Sequence, residues 1–252
     1  ALAARLKQLR AALYLGHTAV SLRPGSPSLV TIQDDQGQIR VLEADKVLVC
    51  VGGSPNTSGL GIQKLGVNLD SRGFIPVNSR METAVAGIHA VGDVTGPPLL
   101  AHKAYRQAKI VAEVISGVAA SFYNAVIPGA IYTDPELAWA GICEEEARKM
   151  GLDIITGTFP FRASGRALTL NAPEGFVKTI ADAKTSQLKG VLMMGQGVSE
   201  IISEAALALE MGASLQDLHA NIHPHPTLSE ALVESVDAAL GQAVHILNRQ
   251  AR

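Results

Sequence analysis

Leucines stand at positions 2, 6, 9 and 13, with Arg5, Lys7 and Arg10 on the other faces, and this spacing predicts an amphipathic helix over residues 2–13. Residues 28–33 and 39–42 are strand-like and flank Asp34-Asp-Gln-Gly37, a turn signal, so a hairpin is expected. Residues 47–51 are apolar without interruption and stop at Gly52-Gly53, the pattern of a strand buried on both faces. Further on, Gly87-Ile-His-Ala-Val-Gly-Asp93 reads as a short strand ending in Gly-Asp. Pro97 and Pro98 then precede residues 99–117, apolar at helical spacing and closed by a glycine. A strand, a loop and a helix start in that order commonly point backbone N–H groups at an anion.

From about residue 124 the pattern changes. Strands are expected near 130–133, 154–161, 175–180 and 189–194, and helices over 199–211 and 228–247. Strands first and helices afterwards predict an α+β domain, with its boundary near 120–126.

Composition narrows the classes. With 252 residues, 47% hydrophobic, 17% charged and 24 glycines, the chain is globular in character and long enough for a substantial core. Its 21 basic and 23 acidic residues give a net charge of −2, which removes the electrostatic case for a nucleic-acid partner. No apolar run approaches the roughly 20 residues that span a bilayer, and no basic stretch followed by an apolar core opens the chain, so a soluble cytoplasmic protein with no membrane partner is expected. Cys50, inside the apolar run, is expected as a buried strand thiol; Cys143, before Glu-Glu-Glu, as a surface residue at a helix start. Neither has a CxxC partner.

Candidate chemistry concentrates in two places. Asp93 reads either as a turn-forming aspartate or as a carboxylate presented to a ligand. The helix after it either packs into the core with His102 and Lys103 exposed, or offers its N-terminus to an anion; both can hold together. The second place is His223-Pro-His-Pro-Thr-Leu-Ser-Glu-Ala-Leu232. A residue before proline is kept extended, which holds His225 outside the following helix. Thr227-Leu-Ser-Glu230 is a capping box, in which Glu230 reaches back to the cap N–H, but Glu230 can also serve His225. Metal binding through His219, His223 and His225 is a third reading, with no carboxylate at convincing ligand spacing. His219 and His223 are otherwise solvent or packing residues.

Several stretches together resemble the flavin-dependent disulfide oxidoreductases, and within them the dihydrolipoyl-oxidising branch. They are Gly87-Ile-His-Ala-Val-Gly-Asp93, Leu100-Ala-His-Lys-Ala104, Ile131-Tyr-Thr-Asp-Pro-Glu136, Gly165-Arg-Ala167, Glu174-Gly-Phe-Val-Lys178 and His225-Pro-Thr-Leu-Ser-Glu230, in that family's order and spacing over nearly the whole chain. The resemblance implies an α/β remnant of nicotinamide- and FAD-binding domains followed by an antiparallel-sheet dimer-interface domain with flanking helices. Residues 1–86 would be the later part of the NAD-binding domain, 87–120 a segment of the FAD-binding domain, and 124–252 the dimerisation domain. It implies FAD and NAD as cofactors, a homodimer, and lipoyl domains of 2-oxoacid dehydrogenase complexes as partners.

By the same resemblance, Gly52 and Asp93 contact cofactor. Asp93 accepts from a ribityl hydroxyl, and Leu100, Ala101 and His102 turn their backbone amides to the flavin pyrimidine edge. His225 becomes the acid/base that takes the proton of a dithiol across the dimer, and Glu230 holds its tautomer. An imidazole near pKa 6.5 and a thiol near 8.5 can exchange a proton close to neutrality.

The chain also departs from the family. Gly53 stands where arginine is common, and Pro224 where alanine is more usual. The glycine-rich cofactor fingerprints and the redox cysteine pair are not in these residues, and Lys64 follows Gly59-Leu-Gly61 where a third glycine would stand. The expectation is therefore a C-terminal fragment or truncated relative, with little activity of its own. The rival expectations are a dimerising module without chemistry, and a mercuric or glutathione reductase type. Mercuric reductases usually end in paired cysteines, whereas this chain ends Asn248-Arg-Gln-Ala-Arg252.

Overall fold

A computed structural model describes residues 2–123 and 126–247. The expected domain start at 124 and the closing residues 248–252 lie outside them. The chain divides into two compact units, residues 1–54 and 55–252.

In the first unit, α1 (Leu2–Gln8) is followed by β1 (His17–Arg23), β2 (Ser28–Asp34) and β3 (Ile39–Ala44), an antiparallel meander in the order β1-β2-β3. The expected hairpin is β2–β3. Its turn is held by Asp34, whose Oδ1 accepts from the amides of Gln36 (2.9 Å) and Gln38 (2.8 Å), and by Gly37 at φ 82°. The first helix is shorter than predicted: Arg10 adopts φ 59° and Leu9 is exposed, so the apolar stripe has no partner to extend it. β1 was missed: Val20 and Leu22 alternate with Ser21 and Arg23, but over only four residues, and the strand is nearly all exposed.

Residues 47–51 correct the reading of a buried strand. They pair with no strand among the described residues, and Leu48 and Val51 are each 88% exposed. A strand buried on both faces requires neighbours on both edges and both faces, which hydrophobicity alone cannot supply. Cys50 is accordingly exposed, not buried.

The second unit begins with a small cluster of Val67, Ile75 and Ala90. Residues 87–93 are not a ladder strand: one bridge joins His89 to Glu82, and the Gly-Asp pair lies in a 3-10 turn, Gly92–Thr95. Helix α2 (Ala101–Ile115) follows, then a five-stranded antiparallel sheet of β4 (Gly129–Ile131), β5 (Glu136–Gly141), β6 (Ile154–Pro160), β7 (Phe176–Asp182) and β8 (Leu188–Gly195), ordered β4-β5-β8-β7-β6. β5 was missed because its inward residues, Ala138 and Ala140, are small and poor strand formers. The remaining helices are α3 (Glu144–Lys149), α4 (Gly165–Thr169), α5 (Val198–Glu210), α6 (Leu215–His219) and α7 (Glu230–Leu240). Helices α5 and α7 cover the sheet over a core of Phe161, Val177, Met193, Val198, Leu232 and Val236. The α+β expectation therefore holds, although α7 stops well before 247 because Gly241 turns left-handed at φ 72°.

One glycine sets where α7 lies. A Cβ on Gly157 of β6 would stand 2.0 Å from Ser235 O and 2.3 Å from Ala239 N, so the helix backbone rests directly on the strand. On neighbouring β7, Thr179 Oγ1 meets Ser235 Oγ at 2.6 Å in the interior. Ser235 gives its own hydrogen to Leu232 O (2.7 Å), so Thr179 is the donor.

Candidate functional site

The first group of polar residues surrounds the start of α2. Gly92 and Gly96 bracket the turn at φ 80° and 105°, conformations that favour glycine. Asp93 lies exposed between them. Residue Leu100 caps α2 without a side-chain hydrogen bond, and Ala104 N is the first amide to find an intrahelical acceptor, Leu100 O at 3.2 Å. The Leu100 amide, expected to face a ligand together with those of Ala101 and His102, instead donates to Pro98 O (3.1 Å); the amides of Ala101, His102 and Lys103 make no hydrogen bond among the described residues and carry the positive end of the helix dipole. The His102 side chain is exposed and donates through Nε2 to Pro128 O (2.7 Å).

Lys103 corrects an expectation, since its side chain is buried rather than exposed and its ammonium donates to Gly96 O. Desolvation pushes its pKa down, opposed by the nearby Asp93 carboxylate. It and Gln107 are the buried polar residues of α2 that sequence reading passed over. Their spacing of four was visible, but a lysine in a helix is read as solvated by default.

The second group is at the start of α7. His225 Nδ1 donates to Glu230 Oε1 at 2.8 Å, and Thr227 N donates to Glu230 Oε2 at 2.6 Å. The two local readings of Glu230 are thus both satisfied, one by each oxygen. The capping box is half of one: Thr227 Oγ1 turns away to Pro224 O (2.8 Å) and leaves the helix end to Leu228 and Ser229 carbonyls. A carboxylate can only accept, so Nδ1 of His225 carries the hydrogen and a neutral ring has its lone pair on Nε2. The ring is 76% exposed and Nε2 makes no hydrogen bond among the described residues.

The two other histidines of the 219–225 stretch are each drawn to a separate carboxylate. His219 Nδ1 donates to Asp237 Oδ1 (2.6 Å), and His223, whose side chain is 5% exposed, donates through Nε2 to Glu204 Oε1 (2.7 Å). Among the described residues no three His, Cys, Asp or Glu side chains converge on one point as metal ligands would. Of the residues singled out in the sequence, Asp93, Leu100, Ala101 and His102 share the turn–helix junction, and His225 and Glu230 form a pair. Gly52 belongs to the first unit, exposed at φ 94°.

Residues 1–108 match the pyridine nucleotide-disulphide oxidoreductase family, and residues 127–236 match the dimerisation domain of the same family. The chain belongs to the pyridine nucleotide-disulphide oxidoreductases. Within them it is similar to dihydrolipoyl dehydrogenase of Thermus scotoductus, 53% identical over 213 residues covering 84% of this chain and 46% of the relative. It is also similar to dihydrolipoyl dehydrogenase of Haloferax volcanii, 42% identical over 97% of this chain and 52% of the relative. Among solved structures, LpdA of Mycobacterium tuberculosis superposes with a TM-score of 0.84 at 27% identity, over 93% of this chain and 51% of that one. RclA of Escherichia coli, an HOCl-induced flavoprotein disulfide reductase, also gives 0.84 at 26%, over 94% and 54%. The chain therefore spans about half the length of the relatives it matches.

Proposed function

We propose that these residues supply the dimerisation domain and part of the flavin site of a dihydrolipoyl dehydrogenase, an enzyme that oxidises dihydrolipoyl groups with FAD and NAD. The divided carboxylate of Glu230 carries this reading. It holds His225 with Nδ1–H occupied and leaves Nε2 open to solvent, which is the arrangement a base needs to take a proton from a dithiol. The identity to proteins of that name supports it. Bound FAD would supply the two-electron carrier between dithiol and nicotinamide.

The donor set at α2 fits such a group. Asp93 offers an acceptor for a ribityl hydroxyl. The unpaired amides of Ala101, His102 and Lys103, at the positive end of a 15-residue helix, suit a pyrimidine edge that becomes negative on reduction, worth about 0.3 to 2 kcal/mol. Gly52 is a further cofactor contact in this reading. Residues 1–86, 87–120 and 124–252 are its NAD-binding, FAD-binding and dimerisation parts. The assembly is a homodimer in which His225 serves the partner's flavin, in the cytoplasm, with lipoyl domains of 2-oxoacid dehydrogenase complexes as substrates.

The test is made on the full-length protein carrying this chain. His225→Gln should slow lipoamide-dependent NADH formation by about 10² to 10⁴, with the flavin spectrum unchanged. Unchanged turnover removes His225 as the base. A wild-type protein with neither flavin absorbance nor lipoamide turnover is instead a dimerising module without chemistry.

A further inference from the structure

Two buried polar side chains on α2 have no part in the contacts assigned so far. Lys103 and Gln107 are 4% and 5% exposed and stand four residues apart on one helix face. Both reach back to the 92–96 turn. Gln107 Oε1 accepts from Gly92 N at 2.7 Å, and its Nε2 donates to Thr95 Oγ1 at 3.3 Å. The Lys103 ammonium donates to Gly96 O. From the other side, Ile75 N donates to Val94 O at 2.8 Å. The turn is thus held at its first, middle and last residues, while Asp93 between them is exposed, its carboxylate near the Lys103 ammonium.

An ammonium at this depth is an expensive group. A methionine would fill similar volume without the desolvation that already depresses the Lys103 pKa, but it would leave the Gly96 carbonyl without this donor. Gln107 is the counterpart at the other end. As the side chain that accepts from Gly92 N, it leaves that buried amide without its partner if removed. Neither side chain stabilises α2 itself; each joins α2 to the turn.

We propose that Lys103 and Gln107 are positioning residues of the flavin site: they clamp the 92–96 turn onto α2, so that the Asp93 carboxylate and the free amides of α2 face one ligand as a single rigid unit. The proposal rests on the flavin reading above. To test it, flavin is removed from the full-length protein, and FAD is titrated onto wild type, Lys103→Met, Lys103→Gln and Gln107→Met, with the melting temperature of each apoprotein measured alongside.

Each methionine variant should weaken FAD binding about tenfold, the size of one lost hydrogen bond to a charged or buried group, while its apoprotein melts within about 4 °C of wild type. Lys103→Gln keeps an N–H donor for Gly96 and should stay within about threefold of wild type. FAD affinity unchanged in both methionine variants overturns the clamp. So does an equal loss in Lys103→Met and Lys103→Gln accompanied by a fall in apoprotein melting temperature, which would mark a packing role. If Lys103→Met does not fold, Gln107→Met decides alone, and unchanged affinity there overturns the proposal. A wild-type protein that takes up no FAD removes the flavin reading and the clamp together; one that binds FAD as its variants do removes the clamp alone.

Discussion

Glu230 answers to two neighbours with two oxygens, and this makes its substitutions informative. Glu230→Ala removes both the restraint on His225 and the acceptor for Thr227 N, so dithiol oxidation and helix stability should fall together, the latter by about 1 kcal/mol as for a lost cap. Glu230→Gln retains one oxygen acceptor. It should therefore lose turnover by more than it loses melting temperature, measured on the full-length protein; equal losses would show that capping is the whole of its role. Both partners of Glu230 were legible in the sequence because they lie within five residues of it, where local geometry suffices. Lys103 was not. Its burial depends on the 92–96 turn folding over α2, and nothing in residues 101–107 announces that.

At the scale of elements, the position of α7 depends on two contacts with the sheet beneath it. Gly157→Ala places a methyl group where Ser235 O and Ala239 N already are, so α7 must shift. The expected cost is about 1 to 3 kcal/mol or more by chemical unfolding, together with weaker activity, because Glu230 moves with its helix. Ser235→Ala leaves the Thr179 hydroxyl buried without its acceptor, at about 1 to 3 kcal/mol.

A third contact joins α3 to β7. Hydrogen bonding to the Lys178 ammonium, against a smaller opposing effect of burial, holds the Glu144 carboxyl below its usual range. A carboxyl lowered in the folded state stabilises the fold above its unfolded pKa of about 4.5 and loses that contribution as pH falls through the folded value. The difference in melting temperature between wild type and Glu144→Gln should therefore be full at pH 7 and shrink below about pH 4.5. These pairings were only half visible in sequence: the strands β6, β7 and β8 and the helices α5 and α7 follow from periodicity, whereas the identity of the residue opposite Gly157 follows from which strand lies at the sheet edge.

At the scale of the whole molecule, chemistry on a dithiol needs a redox partner that these residues do not contain. Cys50 and Cys143 stand far apart in sequence and neither has a CxxC neighbour. Residues 1–252 expressed alone are accordingly expected to give no lipoamide-dependent NADH formation, and robust turnover by them would refute the proposed division of labour.

What the sequence determined by itself is the set of local signals: the hairpin at Asp34, the start of α2 after two prolines, the strands β6, β7 and β8 ahead of the helices α5 and α7, and His225 held before proline with Glu230 five residues on. Each depends on interactions within a few residues, so the chain carries its own instruction. Tertiary structure decided the rest. The apolar run 47–51 became an exposed segment because burial on both faces requires strands and helices from elsewhere in the chain, and α1 stopped at Gln8 for want of a surface to cover. Lys103 went inside because a distant carbonyl accepts its hydrogen. Burial is a property of what packs against a residue, and that information is not local.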